Sequence, residues 1–223
     1  MKKESKFAVF NYNENDNCLI EELMSYLDAR AIDVYKFFEV EPTEKAQIII
    51  VPTKKEYDSL FNLENGRPQD AKVSLSSRGS LTRDGKILYL SIADYKNTTH
   101  AFSPGEKEQA IELYKKTLVH EFVHFVNVCF NKKNNCSFTE KFLVEGIACY
   151  LSGQKEGKNI DFNFEIDDVL NREKQPYDAY YALTKYFIEH YDKQVVLEIF
   201  QSSRQARELL RSELFEKTKS QTC

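Results

Sequence analysis

The five residues His120-Glu121-Phe122-Val123-His124 combine side chains that can bind a metal with one that can move a proton. Each residue of an α-helix turns by about 100°, so residues at positions i and i+4 leave the same face. Both imidazoles could then bind one zinc ion, while Glu121 could reach a water molecule from an adjacent flank. Phe122 and Val123 point away and can pack. The pattern H-E-x-x-H therefore predicts zinc-dependent hydrolysis, with peptides as the first expected substrate.

A catalytic zinc site with two histidines needs a third protein ligand and an open position for water. Glu145 is the clear candidate, because it is the one charged residue in the apolar run 142–151. A buried lone carboxylate is costly unless a cation or hydrogen bonds satisfy it. The polar break at 131–135 would let the next helix fold back and bring Glu145 to the histidines.

A helix with H-E-x-x-H, a short turn and a second helix with E-G-x-A-x-Y together resemble the gluzincin metallopeptidases. This group includes thermolysin-like enzymes and zinc aminopeptidases. Glu145 lies 21 residues after His124, close to the spacing of the glutamate ligand in that family. The resemblance implies that His120, His124 and Glu145 bind Zn²⁺ and that Glu121 is the general base.

The segment from Pro176 to Leu183 resembles the P-Y-x-x-x-x-A-L segment of the aminopeptidase branch. In that branch the tyrosine stabilises the tetrahedral intermediate, so the resemblance implies this catalytic role for Tyr177. Tyr180 and Tyr181 lie close enough in the sequence to compete for it. The same resemblance suggests residues 87–92 as the substrate-binding edge strand.

The chain also departs from the family. The aminopeptidase branch binds the substrate amino terminus with a G-x-M-E-N segment, and neither Met1 nor Met24 belongs to such a segment. Endopeptidase and exopeptidase action therefore both stay open. The position four residues after Glu145 holds Cys149 instead of an acidic residue. His100 and His190 are interpreted as ordinary loop or surface histidines, and Asn127 as a plain polar contact on the histidine face.

The hydrophobic pattern predicts mixed α and β structure in the first hundred residues. A turn at 83–86 favours a hairpin. The strand candidates are 6–12, 47–51 and 87–92, and the helix candidates are 18–38 and 54–61.

Helices dominate the rest of the chain. Capping boxes at 103–106 and 137–140 predict one helix that ends near Phe130 and a second over 141–151, which Gly153 terminates. Pro176 begins a third helix that runs to about Tyr191. One or two amphipathic helices follow over 193–219.

These elements predict an α+β fold with a zincin-like catalytic domain. An N-terminal α/β lobe with a small sheet, residues 1–131, would end in the H-E-x-x-H helix. A C-terminal helical lobe, residues 132–223, would carry the glutamate ligand, with the active site in the cleft between the lobes.

Composition narrows the partners and the compartment. The chain has 223 residues, a net charge of -4 and no concentrated basic block, which argues against nucleic acid as a partner. The apolar run 7–10 is too short for a signal-peptide core, and no run approaches a membrane span. The 5 cysteines form no C-x-x-C pair, so reduced thiols are expected. We therefore expect a cytoplasmic protein with a peptide or protein substrate and no membrane partner.

A second hypothesis is a zinc-binding regulatory or binding protein of the same fold with little or no turnover. A purely structural zinc is the weakest hypothesis, because structural sites are usually closed by four protein ligands and rich in cysteine.

Overall fold

The computed structural model describes residues 1–74, 77–97, 107–137, 140–158, 164, 166–170 and 176–220. The chain divides into two compact units, Met1–Val128 and Cys129–Cys223. The predicted capping box at 103–106 and His100 lie outside the described residues.

The first unit contains a five-stranded mixed sheet with the order β1-β2-β3-β5-β4. Strands β2, β3 and β5 are parallel to one another, and the two outer strands β1 and β4 pair antiparallel to their neighbours. This small sheet with helices confirms the expected mixed α and β class. The strands are β1 Lys2–Glu4, β2 Ala8–Asn11, β3 Ala46–Val51, β4 Gly79–Leu81 and β5 Lys86–Leu90.

Helical crossovers connect the parallel strands, as parallel pairing requires. The first crossover buries Ile20, Leu23 and Leu27, whose three- and four-residue spacing forms one apolar face. It ends at Glu39, which has a left-handed backbone with a φ of 53°. The helices of this unit are α1 Asn17–Phe38, α2 Lys54–Glu64, α3 Ile92–Asn97 and α4 Lys107–Lys133, the last of which continues five residues into the second unit.

The predicted edge strand at 87–92 is wrong in two respects. Strand β5 ends at Leu90, and Ile92 already begins α3. Strand β5 is also paired on both sides, with β3 and with β4, so β4 forms the edge of the sheet. The hairpin turn at 83–86 is confirmed, with Gly85 at a φ of 83°.

Within its described residues, the second unit consists of helices and the turns that connect them, with no strand. Its third helix begins directly after Pro176 and ends before Tyr191, as predicted. Gly153 terminates the first helix with a φ of 70°, which is also as predicted. The helices are α5 Lys141–Ser152, α6 Ile166–Leu170, α7 Tyr177–His190, α8 Lys193–Ile199 and α9 Ser203–Ser220.

Two sequence-based helix ends are wrong. Helix α4 continues to Lys133, through the first part of the expected polar break. The N-cap of α5 is Glu140 and not Ser137, and the Glu140 side chain makes no capping hydrogen bond. Instead, its Oε1 accepts a hydrogen bond of 2.9 Å from Nε of Arg207 on α9. Among the described residues, no helix combines the length and the hydropathy needed to cross a lipid bilayer.

Two buried tyrosines attach helix α4 to strand β5. The Tyr89 hydroxyl donates to the backbone carbonyl of Tyr114, and the Tyr114 hydroxyl donates to the carbonyl of Leu90 at 3.0 Å. Their ring centroids are 4.6 Å apart. This reciprocal pair fixes the helix against the sheet less than two turns before His120.

Burial of these phenols should make stability fall at alkaline pH. Burial raises the pKa of Tyr57, Tyr89 and Tyr114 above the ordinary value near 10. Above pH ~10 the unfolded chain loses these protons while the folded chain keeps them. We expect the free energy of unfolding to decrease above that pH by up to about 1.4 kcal/mol per pH unit for each tyrosine.

Urea denaturation between pH 8 and 11 measures this effect. A Tyr57→Phe variant separates tyrosine ionisation from that of the lysines, because it should show a smaller decrease in stability than the wild type. Equal decreases in the two proteins would contradict the prediction.

Candidate metal centre

Helix α4 places His120 and His124 on one face, as the i and i+4 spacing predicts. Their Nε2 atoms are 3.1 Å apart, and the two rings are nearly perpendicular, with an interplanar angle of 86°. Two zinc–nitrogen bonds of about 2.0–2.1 Å at a tetrahedral angle would separate the nitrogens by about 3.3 Å. The observed spacing of the two nitrogens is therefore close to that of two ligands of one zinc ion.

Apolar residues on the other faces of α4 fix this segment. Phe122, Val123 and Val126 are completely buried, which confirms that Phe122 and Val123 pack into the core. The ring of Tyr35 on α1 meets Phe122 edge to face, with centroids 5.7 Å apart. The histidine backbone is therefore held by the core of the first unit.

The predicted general base, Glu121, is buried beside the edge strand β4. A Cβ atom built on Gly79 would lie 2.7 Å from Glu121 Cγ and 2.9 Å from its Oε1. Burial is the largest cause that raises the pKa of Tyr57 and of Tyr89, and the negative charge of Glu121 raises both further. Glu121 and these two tyrosines therefore lie in one region. The contact between Gly79 and Glu121 joins residues 42 positions apart, and sequence reasoning missed it.

The third predicted ligand, Glu145, lies on α5 and is half-buried. One ligand atom from each of His120, His124 and Glu145 lies within 4.8 Å of the other two. Within the described part of the chain, this is the only group of three histidine, cysteine or acidic side chains that is close enough to hold a metal ion. The three predicted ligands are therefore brought together.

The three candidate tyrosines of α7 differ in burial. Tyr177 is the first residue of the helix and is 37 % exposed, whereas Tyr180 is 0 % and Tyr181 8 % exposed. The Tyr180 hydroxyl has no hydrogen-bond partner among the described residues. Burial, and then the charge of Glu145, raise the pKa of Tyr180, so its hydroxyl keeps its proton at neutral pH. An unsatisfied buried hydroxyl costs about 1–3 kcal/mol and is uncommon in folded proteins.

Asn127 and His190, which the sequence analysis assigned no site role, also differ in burial. Asn127 is buried, and its Oδ1 has no hydrogen-bond partner within the described ranges. His190 is exposed and stacks on the ring of Tyr186 at a centroid distance of 4.0 Å, as expected for a surface histidine.

A glycine also lies beside Glu145, the third predicted ligand. A Cβ atom on Gly146 would overlap Oγ1 of Thr184 and the backbone carbonyl oxygen of Tyr180, both on α7. Helices α5 and α7 therefore approach each other closely at the residue that follows Glu145. The sequence shows this glycine but not the helix that it faces.

Replacing Gly146 should therefore destabilise the second unit. We expect Gly146→Ala to lower the free energy of unfolding by about 1–3 kcal/mol, because a backbone carbonyl of α7 cannot move aside easily. Thermal or urea unfolding measures the loss. The double variant Gly146→Ala, Thr184→Ala should recover only part of it, since the overlap with the Tyr180 carbonyl persists. Wild-type stability of Gly146→Ala would contradict the close packing.

Comparison of the chain with protein-family models, with curated proteins and with solved structures finds no match. The likeness to gluzincins therefore depends on the motif residues themselves.

Proposed function

We propose that the chain is a zinc-dependent metallopeptidase of the gluzincin type, with a zincin-like catalytic domain. The observation that carries the proposal is the convergence of His120, His124 and Glu145, whose ligand atoms all lie within 4.8 Å of one another. Two imidazoles and one carboxylate leave a coordination position open, which is typical of catalytic and not of structural zinc sites.

The donor set supports zinc as the metal. Imidazole suits zinc and several other transition metals, whereas calcium and magnesium prefer oxygen ligands alone. Zinc, when bound, would supply a Lewis acid for the scissile carbonyl and a water molecule whose pKa is lowered to about 7.

Glu121 is the proposed general base. Its carboxylate would accept a proton from the attacking water and later donate it to the leaving amine. Glu121 is not itself a proposed ligand, because on a helix its side chain points about 100° away from that of His120. Its burial against β4 keeps bulk water from competing for the proton.

A tyrosine of α7 would donate a hydrogen bond to the oxyanion of the tetrahedral intermediate. The family resemblance assigns this role to Tyr177, and Tyr180 is the competing candidate because of its buried hydroxyl. Such a donor typically contributes about 3 kcal/mol to transition-state stabilisation.

The sheet supports a peptide or protein as the substrate. No strand pairs with the outer edge of β4 within the described residues, and Glu121 lies against Gly79 of this strand. The free edge of a strand can form backbone hydrogen bonds with an extended peptide. A cytoplasmic location is part of the proposal, because the 5 cysteines of the sequence are an odd number and do not indicate a disulfide framework.

Substitution of Glu121 should separate metal binding from hydrolysis. We expect Glu121→Gln to keep one zinc per chain and to lower kcat by at least about 100-fold, because the amide cannot accept the proton. We expect His120→Ala to lose stoichiometric zinc. Metal analysis of the purified proteins and cleavage of a peptide library measure the two effects.

One control variant and two possible outcomes make this experiment decisive. His190→Ala removes an exposed histidine outside the site and should keep both zinc and activity. Wild-type turnover by Glu121→Gln would refute the mechanism. Zinc binding by the wild type without cleavage of peptides or unfolded proteins would favour the alternative, a zinc-binding regulatory or binding protein.

Phenylalanine substitutions test the oxyanion donor. We expect Tyr177→Phe to lower kcat by about 100-fold while zinc content and KM stay close to the wild type. Tyr180→Phe and Tyr181→Phe examine the competitors, and Tyr186→Phe, further along α7, serves as the control. A large loss of kcat in Tyr180→Phe alone would transfer the role to Tyr180.

A further inference from the structure

The glycine at position 79 is the residue of β4 that faces the carboxylate of Glu121. A Cβ atom at this position would be 2.7 Å from Cγ, 2.9 Å from Oε1 and 3.1 Å from Cδ of Glu121. Real Cβ contacts are longer than this, so any larger residue requires one of the two partners to move. The φ of Gly79 is not positive, so its backbone lies outside the left-handed region. Space, and not backbone conformation, therefore explains the glycine.

The strand is the partner that cannot retreat easily. Gly79 pairs with Tyr89 and Ser80 with Leu88 in the hairpin, and the Leu90 amide donates to the Arg78 carbonyl at 2.8 Å. The guanidinium of Arg78 also lies over a buried tyrosine ring, 4.9 Å from the centroid of Tyr95. These interactions fix the backbone on both sides of Gly79.

The Glu121 side chain is the partner that can move. Its backbone belongs to α4, between the two histidines, and is held by the core residues Phe122 and Val123. Its Cγ, Cδ and carboxylate oxygens can move by a change of rotamer, without movement of the backbone. An added methyl group at position 79 would therefore redirect the carboxylate and leave the fold and the histidines in place.

We propose that Gly79 is a positioning residue for Glu121, whose absent side chain sets where the carboxylate of the general base can lie. This inference rests on the proposed function for its kinetic consequence, but the position of the carboxylate can be measured without any activity. Gly79 and Gly146 both lie beside a carboxylate of the proposed site, but they differ in what an added Cβ would meet. At Gly146 it would meet a backbone carbonyl, whereas at Gly79 it would meet a movable side chain.

The test is the Gly79→Ala variant, studied by crystallography of the metal-free protein, by metal analysis and by steady-state kinetics on peptides. We expect the Glu121 carboxylate to move by about 1 Å or more, and displacements of this size can lower the rate about 100-fold. The loss should appear in kcat and not in KM. Zinc stoichiometry and the unfolding temperature should stay at wild-type values.

The matched control is Gly85→Ala, in the turn of the same hairpin. A Cβ there meets no atom within 4 Å, but its φ of 83° strains alanine. This variant should lower the unfolding temperature while Glu121 and kcat stay unchanged, which separates hairpin stability from the position of the base.

The position of Glu121 in the variant and the measured kcat decide between the proposals. A Gly79→Ala structure with Glu121 in its wild-type position would overturn the role of Gly79, as would an unchanged kcat in an active enzyme. A displaced carboxylate with lowered kcat would support it. If the wild-type protein cleaves no peptide, the proposed function fails, and the position of Glu121 in the variant still decides the role of Gly79.

Discussion

The attachment of helix α4 to strand β5 is the constraint on which the candidate site depends. Tyr89 and Tyr114 each donate a hydrogen bond to the backbone of the other element, inside a region without solvent. Buried polar groups are expensive unless they are paired, so this reciprocal pair fixes both the distance and the register between helix and strand. This attachment therefore also determines the positions of the residues further along α4, including both histidines and Glu121.

The geometry of helix α4 then determines the directions of His120, Glu121 and His124. One continuous helix provides the two imidazoles from the same face, with nitrogens 3.1 Å apart, and turns Glu121 toward the sheet. Two neighbouring imidazole nitrogens that converge in a half-buried place are well suited to share a cation. In the proposed metal site, the carboxylate of Glu145 would supply the negative charge that makes such a cation less costly to bury.

Local signals explain what the sequence predicts correctly. Helices α1 and α7 follow from apolar spacing and from Pro176, and the shared face of His120 and His124 follows from a spacing that is internal to one helix. What the sequence does not reveal is set by distant partners. The carboxylate of Glu140 accepts a hydrogen bond from Arg207, which lies 67 residues further along the chain, and no local pattern reveals that contact. Strand β4 has three residues and no alternating pattern, so only its pairing with β5 defines it as the edge.

In the proposed mechanism, a metal ligand and a general base require opposite kinds of packing. Metal ligands must be held rigidly, and His120 and His124 lie on a segment whose other faces are filled by Phe122 and Val123. Glu145 precedes Gly146, where α5 packs closely against the backbone of α7. A general base must instead approach two different atoms during one turnover, first a water and then a leaving amine. Glu121 meets the strand at a glycine, so its carboxylate has room there that any side chain would remove. The two glycines thus fit the different mechanical demands that the proposed mechanism places on a metal ligand and on a proton carrier.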